Sequence, residues 1–158
     1  MKDLEKYLVG RRCGIVQTLG KAAIDFDDPP IHAYGAKICD TAAFSAVTAS
    51  KKCGGGGIEE QEAKNCCLGE AVERYCAGTW NAKDIVWATA KELQKDVFSL
   101  EELTLFSGKQ YNQYNFPYLS PSSTIKIPWI EVVRHHDQKP LWAPAVFFYC
   151  QVRNIKTK

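Results

Sequence analysis

The sequence has no apolar run approaching the roughly 20 residues of a membrane-spanning helix, and its start, Met1-Lys2-Asp3-Leu4-Glu5-Lys6, lacks the apolar core of a secretory leader. No membrane partner is expected, and the chain is read as cytoplasmic. Like-charge blocks are missing as well. Twenty basic and 18 acidic residues leave a net +2 spread along the chain, which gives little support to tracking of a phosphate backbone, so nucleic acid is not an expected partner. The phosphate-loop pattern G-x-x-x-x-G-K-[ST] is absent. No two of the seven cysteines (Cys13, Cys39, Cys53, Cys66, Cys67, Cys76 and Cys150) stand in the C-x-x-C spacing of structural zinc, and an odd number cannot all pair within the chain. Without a leader no disulfide framework is expected. Cys39, Cys67 and Cys150 are read as small buried hydrophobes.

What is present suits a globular fold. At 158 residues and 46% apolar content, the chain is expected to form a single domain over residues 1–158 with its own core. Strands are predicted at Gly14–Leu19, Ile31–Cys39 and Phe44–Ser50, with Asp27-Asp28-Pro29-Pro30 as a turn between the first two, although the alanine-rich Thr41-Ala42-Ala43-Phe44 equally suits the start of a helical turn. Gly54-Gly55-Gly56-Gly57 reads as a sharp break, because residues without a Cβ lose most entropy on ordering. A helix follows over Glu59–Ala77, rich in helix formers and acidic at its front. Short helices are predicted at Ala88–Leu93 and at Ser99–Leu103, the latter from the Ser-x-x-Glu pattern of a capping box. Ser107–Ser123 is polar and aromatic and reads as an ordered loop, with Tyr111–Tyr118 either contacting a peptide or packing on itself. Ile127–Val133 and Leu141–Tyr149 read as a hairpin.

On a wheel at 100° per residue, the Glu59–Ala77 helix places Ala63, Cys66, Glu70, Glu73, Arg74 and Ala77 on one side and Leu68, Val72 and Tyr75 on the other. Glutamates at i and i+3 can direct oxygens to one hard cation such as magnesium, and Arg74 adds a forked donor for phosphate. The same residues also suit an ordinary solvated helix face, on which Glu70 and Arg74 form an i,i+4 pair. The glycine run before the helix suits phosphate at a helix N-terminus, or a plain linker. His32, His135 and His136 give no candidate general base.

Two stretches carry a resemblance. Gly54-Gly55-Gly56-Gly57-Ile58, then Cys66-Cys67-Leu68-Gly69-Glu70-Ala71-Val72-Glu73-Arg74-Tyr75, is similar to the signature of the YcaO family, a glycine-rich turn followed by a helix bearing S-x-x-x-E-x-x-E-R. Arg12-Cys13-Gly14-Ile15-Val16 resembles the opening segment of that family. Ala90–Phe106, and Ile127-Pro128-Trp129 through Ala145, resemble its later core.

The resemblance implies an α/β (α+β) fold with a mixed or antiparallel sheet and packed helices, corresponding to the N-terminal half of a YcaO domain. It implies ATP and Mg2+ as cofactors, Glu70 and Glu73 as magnesium ligands, and Arg74 with Cys66 at the nucleotide. The activity implied is ATP-dependent activation of backbone amides in a precursor peptide, as in a cyclodehydratase or thioamide synthase that forms azolines or thioamides. Since the family domain continues with further ligands, a second polypeptide carrying the C-terminal half is the expected partner. Ala145–Cys150 is then the segment expected to pair with strands from elsewhere. Three departures support an alternative, a non-catalytic subunit that docks a peptide or a catalytic partner. Cys66 stands for serine, Gly56 for a frequent lysine and Cys13 for a frequent threonine. Lys51 and Lys52 either restore the lost charge or are solvated.

Overall fold

The computed structural model describes residues 4–45, 49–93, 96–103, 105–118, 120 and 124–152. These form two compact units, one built on the chain up to Trp80 with the stretch from Tyr149, the other running from Asn81 to Phe148. Both are antiparallel three-stranded sheets with helices, the α+β architecture expected. Among the described residues no helix is long and apolar enough to cross a membrane.

In the first unit a short helix α1 (Leu4–Leu8) leads to β1 (Val16–Lys21), β2 (His32–Ile38) and β3 (Lys52–Gly57), ordered β1-β2-β3, and then to α2 (Glu60–Gly78). Burial alternates along β2, with Ala36 and Ile38 inside and Gly35 and Lys37 outside, the two-residue period of a sheet with one covered face. Val16, Ala36, Ile38, Ala49, Cys67, Leu68 and Ala71 form the core between sheet and helix.

The glycine run is not a break. Gly54–Gly57 belongs to β3, paired in register with β2 from Gly54↔Gly35 to Gly57↔His32. The entropy cost of ordering glycine is offset by packing that only glycine allows. A Cβ on Gly55 would lie 2.2 Å from the Cys67 amide nitrogen and 2.5 Å from the Ala63 carbonyl oxygen, and one on Gly57 would lie 2.7 Å from the Ala63 nitrogen. The helix backbone thus rests directly on the strand, which also explains its small buried residues.

Other expectations need correction. Phe44 closes the 3-10 turn Thr41–Ala43 instead of opening a strand, and residues 46–48 of the predicted strand at Phe44–Ser50 lie outside the described residues. Asp40 favours the turn by accepting from the Ala42 amide at 3.1 Å. Cys67 is fully buried, but Cys39 is half-buried and Cys150 exposed.

The second unit holds β4 (Val86–Ala88), β5 (Ile127–Val133) and β6 (Pro140–Pro144), ordered β4-β5-β6, with a short helix α3 (Gly108–Tyr111). The β5–β6 hairpin is the one predicted. Trp129 is fully buried and its indole donates to the Ala88 carbonyl at 2.9 Å. Ala88–Leu93 does not form a helix. Ala88 ends β4, and Thr89 and Glu92 close a turn reciprocally, the Thr89 amide donating to the Glu92 carboxylate at 2.8 Å and the Glu92 amide to the Thr89 hydroxyl at 3.2 Å. Ser99 precedes a 3-10 turn, Leu100–Glu102, but its side chain caps nothing, because the Glu102 amide already bonds the Ser99 carbonyl. The capping box forms instead at Ser107 and Gln110, which start α3. Beyond β6, Ala145–Phe147 is a 3-10 turn, so the segment expected to offer a free strand does not. Its N–H of Phe148 bonds back to the Ala145 carbonyl, and Phe147 packs edge-on against Phe98.

Candidate functional site

Helix α2 buries Ala63, Cys67, Leu68, Ala71 and Gly78. Ala63, placed on the polar side by the wheel, is in the core. The buried face is centred on these small residues because they meet the glycine strand. Cys66 and Glu73 lie exposed, while Glu70 and Arg74 flank the buried face and are half-buried. That flank position lets Glu70 reach the strand.

One Glu70 oxygen, Oε2, accepts the Gly54 amide proton at 2.8 Å, and Oε1 accepts from Arg74 Nε at 2.8 Å and from its Nη2. Glu70 therefore ties β3 to α2 and holds the guanidinium in a fork. The Gly54 amide, and next the Arg74 guanidinium, hold its carboxyl below the usual range, and the carboxylate in turn raises Arg74. A carboxyl with a depressed folded value contributes stability fully present above its unfolded titration, near pH 4.3, and loses it as the pH falls through the lower folded value. Acid titration followed by the amide signal of Gly54 is expected to show the clamp intact at neutral pH and opening only below the ordinary glutamate range. A midpoint near neutrality would contradict it.

Glu73 makes no hydrogen bond or ion pair among the described residues, so its oxygens are open to solvent. A carboxylate pair offers about four acceptor positions per group. Glu70 has used three, leaving one beside the free Glu73. Hard oxygen donors of this kind suit magnesium, which is commonly held by one or two carboxylates with substrate phosphates and water. No group of three or more potential metal ligands occurs among the described residues. The pair thus fits as part of a magnesium–phosphate site.

The departures from the family motif can be placed. Cys66 is an exposed thiol one turn before Glu70, whereas Cys67 faces the core, with the Cys53 thiol 3.6 Å from its carbonyl oxygen. Burial pushes the Cys67 thiol up to about 12 and also raises Cys53. Cys66→Ser is therefore expected to leave the thermal midpoint unchanged and to preserve or improve nucleotide affinity, since a hydroxyl is the better phosphate partner; a lost fold would place the position in the core. Lys51 is paired with Asp40 at 2.5 Å. Lys52 is exposed on the strand face of Gly54 and Gly56, opposite the one that meets α2, which is the face a lysine at Gly56 would share.

The histidines stand apart from these residues in the chain. His32 opens β2, and His135 and His136 lie in the exposed turn of the β5–β6 hairpin. In the aromatic loop Tyr111, Phe116, Tyr118 and Phe106 pack on one another, with Phe106 and Phe116 centroids 5.0 Å apart, while Tyr114 is exposed. Sequence reasoning missed Gly54 as the group that aims Glu70. Its only trace was the glycine run itself.

A family model described as YcaO cyclodehydratase, ATP- and Mg2+-binding, matches residues 54–157, and the chain belongs to the YcaO family. The match begins at Gly54, the residue that holds Glu70. No curated protein sequence matches the chain. Among solved structures, one described as a heterocyclase in complex with substrate and cofactor superposes with a TM-score of 0.66 at 23% identity, over 95% of this chain and 22% of the other. A YcaO from Methanopyrus kandleri bound with AMPPCP and Mg2+ gives 0.51 at 14% identity, over 87% of this chain and 29% of the other. These likenesses establish the fold. The chain spans less than a third of the length of either structure.

Proposed function

We propose that this chain supplies Glu70, Glu73 and Arg74 to the nucleotide site of an enzyme that activates backbone amides of a precursor peptide, with the remaining ligands carried by a second polypeptide. The observation that carries the reading is the Gly54–Glu70–Arg74 clamp beside the open Glu73, in a chain of an ATP- and Mg2+-binding family. ATP with magnesium would supply the phosphoryl group that turns an amide oxygen into a leaving group. The chain's own part is to hold cation and phosphate. Glu70 and Glu73 would hold the metal, Arg74, fixed by Glu70, would bind phosphate, and Cys66 would border the nucleotide. Two carboxylates cannot enclose a magnesium–nucleotide complex, so further oxygen donors must come from other segments. Attack by a side-chain thiol or hydroxyl on the amide carbon would then give an azoline, and attack by external sulfide a thioamide, with the amide oxygen leaving as inorganic phosphate and ATP left as ADP.

The test is calorimetric titration with ATP, with and without magnesium, of the chain mixed with a candidate C-terminal YcaO polypeptide. It is followed by mass spectrometry of the precursor peptide. Magnesium-dependent binding and a peptide mass change only in the mixture are expected. Modification by the chain alone would remove the split arrangement. Absence of nucleotide binding in a formed complex would favour a non-catalytic docking subunit, a reading supported by Cys66 and Gly56 and by the three hydrogen bonds already made to Glu70.

A further inference from the structure

We propose that the turn joining α1 to β1 is a docking point for an acidic segment of the peptide substrate, an inference that rests on the reading of the chain as part of a peptide-modifying enzyme. The turn forms an open cavity of about 530 Å3 lined by Tyr7, Val9 and Gly10–Gly14. Its frame is fixed. The Gly10 amide donates to the Val16 carbonyl at 2.9 Å and the Gly14 amide to the Gly10 carbonyl at 3.0 Å. A Cβ on Gly14 would fall 2.3 Å from the Gly10 nitrogen, so the closure needs glycine there.

This frame presents Arg11, Arg12 and Cys13 to solvent. Neither guanidinium has a carboxylate partner among the described residues, and the amides of all three residues donate to no acceptor there. The other described arginines differ: Arg74 is held by Glu70, and Arg134 by Asp96 and Asp137. Glu5, the only carboxylate on α1, is taken by Lys64 at 3.1 Å. Two adjacent forks and three free amides without an internal counter-charge form a receptor for carboxylate oxygens, which arginine binds in paired fashion. Tyr7, 79% exposed, and Val9 add an apolar wall. A lone inorganic anion has no use for that wall. An acidic side chain with an apolar neighbour on a peptide uses both the arginines and the wall.

The experiment is fluorescence anisotropy of the full chain with a short labelled peptide of Glu, Asp and Leu, and with its Gln and Asn counterpart. Arg11→Gln/Arg12→Gln is expected to weaken binding of the acidic peptide about tenfold or more, with an unchanged thermal midpoint because both side chains are exposed. The amide peptide is expected to bind equally weakly to both proteins. Lys37→Gln/Lys52→Gln removes the same charge from the exposed face of the sheet and is expected to bind as the parent does. An equal loss in both double variants would overturn the site in favour of general charge attraction. Unchanged binding in the arginine variant, or displacement of the peptide by inorganic phosphate at equal concentration, would also overturn it. Magnesium–ATP binding by the arginine variant in the mixed complex is expected to be intact. Its failure in the parent protein, with arginine-dependent peptide binding retained, would remove the enzymatic reading and leave the docking site.

Discussion

Gly55→Ala is expected to cost about 3 kcal/mol or more, enough to abolish cooperative unfolding at ordinary temperature, whereas Gly35→Ala on the neighbouring strand is expected to change stability by less than about 1 kcal/mol. The two substitutions add the same methyl group to the same sheet. At Gly55 it meets backbone, 2.2 Å from the Cys67 nitrogen and 2.5 Å from the Ala63 carbonyl, and neither atom can move without shifting α2. At Gly35 nothing lies within 4 Å, and replacing glycine there reduces the freedom of the unfolded chain. Urea titration of both variants decides the point. Equal midpoints would mean that the helix is not seated on the strand as described.

The second large effect separates two glutamates that the sequence treats alike. Glu70→Gln and Glu73→Gln are each expected to lower magnesium-dependent ATP turnover in the complete complex by about a hundredfold or more, since loss even of outer partners of a metal site commonly costs 10–100-fold. Their stabilities are expected to differ. Glu73 is exposed and makes no hydrogen bond among the described residues, so its amide variant should unfold with the parent. Glu70 carries charge-assisted bonds to the Gly54 amide and to Arg74. Its variant should lose about 1 kcal/mol, a modest figure because solvent screens a side chain that is 32% exposed. Full turnover in both variants would sink the metal assignment. Equal destabilisation would mean that Glu70 is not the clamp.

Much of this was legible because helix formers and acidic residues bound α2 closely, and runs of bulky β-formers marked β5. The Glu70, Glu73 and Arg74 motif was legible by resemblance. What misled were residues whose conformation is decided at a distance. The glycine run looked like a break because propensity weighs only its own entropy, whereas the helix backbone above Gly55 and Gly57 demanded residues without a Cβ. Ala145–Phe147 looked like a strand from its bulky apolar residues, yet it turns. Ala88–Leu93 had helical composition, but the reciprocal bonds of Thr89 and Glu92 close a single turn. Ala63 appeared on the polar side of the wheel because hydrophobic bulk was taken as the guide to burial, while the closest helix–strand approach selects the smallest side chains.

The attachment of α2 to β3 also answers how a strand of four glycines keeps its alignment. Side chains ordinarily fix pairing, because a slip of one residue exchanges the buried and exposed sets. A polyglycine stretch carries no such information and could slide along β2 at little cost. Here two carboxylates of the helix grip amides four residues apart on this edge of the chain, Glu70 on Gly54 at 2.8 Å and Glu62 on Ile58 at 3.1 Å. The alignment of the sheet is thereby dictated from the helix, like a scale read against two fixed marks, and a ligand that drew Glu70 away would leave the strand with one.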